Sequence, residues 1–356
     1  MSRYEQMQTL SVPGTPDRSV KRERVRSILE KTNAEAIALT SAAAVSWYLD
    51  GARIHVNLAG EPIVWVRVSR DRDQVFVTSN ELSRLNREEL PSDIELNVRH
   101  WYQDLSITDA LPEQAVEEEL REARRNLLPY EADRYRKLGS DTAEAMTQAI
   151  GSSYAQMSER KLAAMVAERL IERGADPLVL LVAGQARLDL RHPLPTDETL
   201  GRRALVVVCA RRHGLIASAS RWTTFGAANP ADRDADLRIA QVEAAIFDAT
   251  VPGAELGEIL SVTRRAYRDY GFGDEAWKAH HQGGATGYAT RDPKATPGSL
   301  ESVVAGQAFA WNPSAPGVKI EDTVIASAEG IEVLTIDKSW PTTVVSGRLR
   351  PATLAL

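Results

Sequence analysis

Residues 201–222, GRRALVVVCARRHGLIASASRW, constrain the fold more than any other stretch. The segment ALVVVCA (204–210) is continuously apolar and β-branched, which reads as a strand buried on both faces. His213-Gly214 interrupts it, and HGLIASASRW returns as its partner. A buried hairpin needs cover, and the flanking sequence supplies it. Long amphipathic helices are expected at about 130–151 and 157–173 before it, and at about 231–250 and 254–270 after it. PLVLLVA (177–183) reads as a further strand, and most of the chain after residue 270 reads as strand. These elements form the second part of an α+β chain.

The first part alternates. A helix capped by Ser19 is expected to run to about Lys31, followed by strand EAIALT (35–40) and a helix or turn, SAAAVSWYLDGAR, that exits at Gly51. Strands are expected at IHVNLA, PIVWVRV and QVFVTS, then a helix at 79–90, a strand at 95–100 and a helix at 112–127. The reading is a polar arm over 1–17, a small α/β domain over 18–128 and a second domain over 129–356. The boundary is set near Leu128, where charge rises and Pro129 interrupts.

Composition narrows the function. With a net charge of −6, the chain is not expected to bind nucleic acid, which needs a basic face. No run approaches the length of a membrane span, and the N-terminus has no apolar leader core, so a cytoplasmic setting is expected. The single cysteine, Cys209, excludes an internal disulfide and a multi-cysteine zinc site. Ser218 and Ser220 lack the GxSxG elbow of a serine hydrolase.

Four segments carry a resemblance: RHPLPT from Arg191, the hairpin from Gly201, HHQGGATGY from His280 and AWNPSAPGVKIEDT from Ala310. In order and spacing they resemble the creatinase / aminopeptidase P / prolidase family of pita-bread hydrolases. YLDGAR (48–53) is similar to a segment of creatinase N-terminal domains. The resemblance implies a small α/β domain followed by a curved antiparallel sheet covered by helices, with the site in the cup. It also implies a homodimer, in which Trp47 or Arg53 reaches the neighbouring site.

The family's enzymes hold two metals with two Asp, one His and two Glu. Anchoring on Gly201, or backwards from Gly214, places Val207 at the first Asp position and Ser218 at the second. Gly284 falls at the His position, with His281 offered by a shifted alignment, and Asn312 falls at the first Glu. Only Glu321, in KIED, is retained. Bridging carboxylates are what offset two adjacent dications, so no metal cofactor is expected. A single zinc on His280 or His281 with Glu321 falls short of the usual three ligands.

One branch of the family, creatinase, is metal-free and uses a His in an AHNP segment. RHPLPT places His192 there. Imidazole titrates near neutrality and can take a proton from water and pass it to a leaving nitrogen. The plainer alternative is a loop histidine bonded to a neighbour. The creatinase Glu that precedes an Arg on the returning strand is Ser220 here, which argues against creatine itself. HHQGGATGY offers His280 and His281, expected on opposite faces of a strand, and Gln282, with glycines that allow close backbone approach. It reads equally as a glycine-rich hairpin with a structural His pair. Arg187, Arg191 and Arg291 flank these segments and are candidates to hold a substrate carboxylate. Asn312 is a candidate for holding an amide, and Glu321 for orienting His192. Cys209 reads as a buried inert thiol, and Arg211 and Arg212 as solvated at a hairpin tip.

The catalytic set expected is therefore His192, Glu321 and His281, with His280, Gln282, Asn312, Arg291, Arg191 and Arg187 binding a small-molecule substrate. The reaction expected is metal-independent cleavage of a C–N bond in a small carboxylate-bearing compound. A metal-dependent Xaa-Pro peptidase and a non-catalytic binder are the alternatives. Polar groups are costly in a pocket unless used, which favours an enzyme or a binder over an inert scaffold.

Overall fold

The computed structural model describes residues 16–356. Contacts divide the chain into two units, Met1–Glu131 with His213–Leu215, and Ala132–Arg212 with Ile216–Leu356. Most of the arm expected over residues 1–17 lies outside the described residues, and Pro16 and Asp17 already belong to the first helix.

In the first unit, α1 (Pro16–Thr32), α2 (Ala42–Tyr48), α3 (Leu82–Glu88) and α4 (Glu117–Arg125) pack with five strands. These are β1 (Ala36–Leu39), β2 (Val64–Ser69), β3 (Asp73–Thr78), β4 (Glu95–Arg99) and β5 (Leu111–Pro112), in the order β4-β3-β2-β1-β5. β1 and β3 run antiparallel to β2, while β4 and β5 join in parallel. α1 starts ahead of Ser19 because Asp17 is buried and accepts from the backbone N–H of Glu131 at 3.1 Å. IHVNLA is not a strand. The Asn57 side chain accepts from the N–H of Ala59 at 3.1 Å and its carbonyl from Gly60 at 2.9 Å, and this turn ends extension. The helix expected over 112–127 is a 3-10 turn at Glu113–Val116 followed by α4. Glu113 is drawn off the helix line because its carboxylate accepts from the backbone N–H groups of Thr40 and Ser41, at 2.6 and 2.8 Å.

The second unit holds α5 (Pro129–Gly151, from its fourth residue), α6 (Glu159–Glu172) and strands β6 (Asp176–Ala183), β7 (Arg203–Arg212) and β8 (Leu215–Thr224). Helices α7 (Pro230–Ala249) and α8 (Leu256–Asp269) come next, then β9 (Gly283–Thr286), β10 (Gln307–Trp311), β11 (Ser314–Ala315), β12 (Val318–Lys319), β13 (Asp322–Ser327) and β14 (Gly330–Val333). The chain closes with β15 (Thr342–Val345), β16 (Arg348–Pro351) and β17 (Leu354–Ala355). One sheet has the order β17-β8-β7-β6 and another β14-β13-β10-β9, the latter antiparallel throughout. The two are stitched where Ser220 N–H donates to Glu321 O at 2.9 Å and Ser218 N–H donates to Thr323 Oγ1 at 2.7 Å. That stitching makes one curved surface. α7 and α8 cover the second sheet through Val242, Ile246, Phe247, Ile259 and Tyr267 against Phe309, Trp311 and Val324. Each such side chain contributes about 1.5–3 kcal/mol on burial.

A buried ionic network braces this sheet. Arg350 of β16 pairs with Glu243 of α7 at 2.6 Å and with Asp322 of β13 at 2.6 Å, and Arg221 of β8 reaches Asp322 at 3.0 Å. Thr335 Oγ1 donates to Asp322 at 2.6 Å. Every charge here has a partner of opposite sign, as deep burial requires. Among the described residues no helix is long and apolar enough to cross a membrane.

Candidate functional site

The retained carboxylate shows what has happened to the cup. Glu321 and Asp322 are adjacent, and extended backbone sends them opposite ways. Asp322 enters the ionic network, while Glu321 faces the other side with its side chain 4% exposed. Its Oε1 accepts from Arg291 Nη2 at 2.8 Å and its Oε2 lies 3.0 Å from Lys319 Nζ. Burial raises a carboxyl's pKa, but here Lys319 and then Arg291 outweigh it and hold Glu321 at about 2. Two side-chain cations thus stand against the acid that was expected to be kept from the family's set. Arg291 was expected to bind substrate and Glu321 to orient His192. Each instead has its charge met by the other, because a buried carboxylate demands cationic partners.

Lys319 is the residue that sequence reasoning missed. The signal was present: it lies two positions before Glu321 in an extended segment, so the two share a face.

The residues expected at the family's other metal-ligand positions have surroundings of their own. Val207 packs in a small apolar cluster with Leu181, Leu205 and Trp222 on the same face of the hairpin. Ser218 is buried and its hydroxyl lies 3.2 Å from Cys209 Sγ. Burial, followed by the nearby Glu321 charge, pushes the Cys209 thiol up to about 11, so it stays an inert thiol. Gly284 has φ +145, and a Cβ there would meet the backbone of Pro293 at 2.4 Å. Asn312 is 3% exposed, and its Oδ1 has no partner. Among the described residues, no group of three or more His, Cys, Asp or Glu is placed to hold a metal ion. A dinuclear centre needs several anionic bridges. A site with one carboxylate, already neutralised by lysine and arginine, does not fit it.

The histidines converge. His192 Nε2 lies 3.0 Å from His280 Nε2. His280 and His281 were expected on opposite faces of a strand, yet their rings lie 4.1 Å apart. The reason is local: a 3-10 turn ends at Ala279 and β9 begins only at Gly283, so strand alternation does not apply between them. His280 Nδ1 lies 2.6 Å from the His281 carbonyl, which can only accept, so Nδ1 carries the hydrogen. Burial, then Lys319, lowers His280 to about 4, and it is neutral near pH 7. Its Nε2 therefore accepts from His192 Nε2. With Nε2 donating, Nδ1 is the nitrogen that a neutral His192 ring leaves without hydrogen, on an exposed residue. Burial, then His280, lowers His281 to about 3, and its Nδ1 is buried without a partner.

The remaining candidates separate cleanly. Gln282 is 1% exposed and spent internally, since Oε1 accepts from Tyr267 at 2.8 Å and Nε2 donates to the Trp277 and His280 carbonyls at 2.7 Å. It shapes the turn and does not face a substrate. Arg187 is paired with the buried Glu159 and also donates to Leu194 O at 3.1 Å, which fixes its loop. Arg211 and Arg212 are not solvated at the hairpin tip but half-buried, paired with Asp176 at 3.0 Å and Asp141 at 2.7 Å. Arg191 alone of the flanking arginines keeps its charge available. Its Nη1 donates to Ser314 Oγ at 3.1 Å. It lines a shallow, open cleft with Leu188, Leu205, Trp222, His280 and Lys319.

Comparison with known proteins agrees with this architecture. The model of metallopeptidase family M24 matches residues 133–328. The chain is 25% identical over 187 residues to the Xaa-Pro dipeptidase of Pyrococcus furiosus, an alignment covering 50% of this chain and 53% of that relative. It thus spans about half the length of the curated relative it matches. Among solved structures it is similar to the prolidase of Pyrococcus horikoshii, at TM-score 0.73 and 19% identity, covering 89% of this chain and 98% of the other. It is also similar to dipeptidase PepE of Mycobacterium ulcerans, at TM-score 0.74 and 18% identity, covering 96% and 99%. The fold is the α+β pita-bread fold expected from sequence.

Proposed function

The chain belongs to metallopeptidase family M24, and within that family we propose that it is a metal-independent hydrolase of a C–N bond in a small carboxylate-bearing substrate. The observation that carries the reading is the Glu321 site: lysine and arginine supply positive charge on the carboxylate that otherwise serves dications. The histidine geometry supplies the base. His192 Nδ1 takes a proton from water, the water oxygen bonds to the substrate's electrophilic carbon, the C–N electron pair goes to nitrogen, and the proton follows it. His280 is a positioning residue, since its Nε2 accepts from His192 and fixes which nitrogen is bare. Arg191 is the binding residue for the carboxylate, and Asn312 Oδ1 is open to a substrate N–H. The homodimer implied by the family is part of the same proposal.

A second reading is favoured by the family match and by the curated relative, namely a metal-dependent Xaa-Pro dipeptidase. One experiment decides. The purified chain is loaded with excess Mn²⁺, Co²⁺ or Zn²⁺, desalted, and its metal counted. Hydrolysis of a panel of amides and Xaa-Pro dipeptides is then assayed with and without chelator. The proposal expects well under one metal per chain, hydrolysis that survives chelation, and a fall of about 10²–10⁴ in His192→Ala. Two metals per chain with chelator-sensitive dipeptide cleavage would falsify it.

A further inference from the structure

The cleft beside the histidines has a charge pattern that names a class of substrate. Among the described residues no carboxylate lies within ion-pair distance of Arg191, whose one bond is to Ser314. Lys319 Nζ is held by Glu321 at 3.0 Å, and an ammonium has two further donors to offer. Both cations line one cleft with the apolar Leu188, Leu205 and Trp222, and Asp189 also lines it, on an exposed residue. Glu321 cannot receive a further cation, because both of its oxygens are already engaged. The cleft therefore offers two cations to one anionic group, the edges of the largely buried Leu205 and Trp222 to a small apolar arm, and a single exposed carboxylate, Asp189. Asp189 opposes a second carboxylate. A free dipeptide carries an ammonium, whereas an acylated amino acid has a neutral nitrogen.

Building on the C–N hydrolase reading above, we infer that the cleft takes N-acyl amino acids with a small apolar side chain and discriminates against free dipeptides. The carboxylate lies on Arg191 and Lys319, and the side chain on Leu205 and Trp222. Hydrolysis then consumes one water. Its oxygen joins the acyl carbon and the C–N pair goes to nitrogen; one water proton passes through His192 to that nitrogen and the second leaves the new carboxylic acid for it, giving a carboxylate and a free amino acid with its ammonium. The product's new ammonium meets Arg191 and Lys319, the two cations that line the cleft, which favours release.

The test is calorimetric and uses the full chain as His192→Ala, so that binding is read without turnover. The probes are N-acetyl-L-leucine, N-acetyl-L-leucinamide, N-acetyl-L-glutamate and L-leucyl-L-proline. The expectation is that N-acetyl-L-leucine binds at least tenfold more tightly than the other three. Arg191→Met weakens it at least tenfold, while Arg191→Lys, which keeps the charge, restores part of it, with thermal unfolding confirming that both variants are folded. Equal or tighter binding of the dipeptide or the leucinamide overturns the inference, as does an unchanged affinity in folded Arg191→Met. Leucine release by the wild-type chain separates the two readings. Tight binding of N-acetyl-L-leucine without release upholds the subsite and sinks the hydrolase reading. Cleavage of the dipeptide without binding of any acetylated probe overturns the subsite and leaves a hydrolase.

Discussion

Replacing Lys319 with Met probes the centre most directly. A carboxyl held at about 2 instead of an ordinary 4.5 corresponds to about 3 kcal/mol of native-state stabilisation at neutral pH. Burial opposes this, and Lys319 and Arg291 supply it together. Lys319→Met leaves Arg291 in place but removes the larger of the two attractions, more than half of the net, so about 2 kcal/mol at pH 7. The sign with pH is set by the direction of the shift. The folded-state pKa lies below the unfolded one, so the stabilisation is fully present above about pH 4.5 and disappears as pH falls towards 2. Urea unfolding of wild type, Lys319→Met, Glu321→Gln and the double variant checks both points. At pH 7 the lysine substitution should cost about 2 kcal/mol with Glu321 present and under about 1 kcal/mol in the Glu321→Gln background, a coupling of more than about 1 kcal/mol. At pH 3 the coupling should fall by about half. If the substitution costs the same in both backgrounds, or the same at pH 7 and pH 3, then Lys319 does not neutralise Glu321 and the reasoning fails.

The histidine pair makes a prediction about pH. His280 is held at about 4, so it stays neutral between pH 5 and 8 and should add no ionisation of its own to the rate of C–N hydrolysis in that range. His280→Ala should lower kcat by about tenfold with little change in KM, and His280→Gln, which keeps an acceptor, should recover part of it; a pH–rate series on each variant is the readout. Arg350→Met should destabilise the chain by about 3–5 kcal/mol in urea, because it strands the buried Glu243 carboxylate that it pairs with. A loss below about 1 kcal/mol would show that the network does not brace the sheet.

The hairpin of β7 and β8 was legible in the sequence because burial on both faces leaves an unbroken apolar run, and α5 to α8 because each repeats its apolar positions over several turns. IHVNLA was not legible as a turn, since its alternation resembles a strand and only the Asn57 side chain ends it. At the site, the burial of Val207 and Ser218 was legible from the apolar run that holds them. The roles of the arginines were not. Arg187, Arg191 and Arg291 look alike in sequence, and their fates depend on partners 28, 123 and 30 residues away. The same holds for Gln282, whose amide is consumed by Tyr267 on a helix fifteen positions earlier. Pairing across such distances is a product of tertiary structure, not of spacing.

The ammonium of Lys319 and the guanidinium of Arg291 are tethered to the same polypeptide as the acid they face. Counterions that are covalently part of the chain cannot be diluted away, stripped by a competing chelator or exchanged for a different element. Their supply is settled when the polypeptide is synthesised. The pairing at Glu321 therefore draws on no ion from solution, and it is lost as pH falls towards 2.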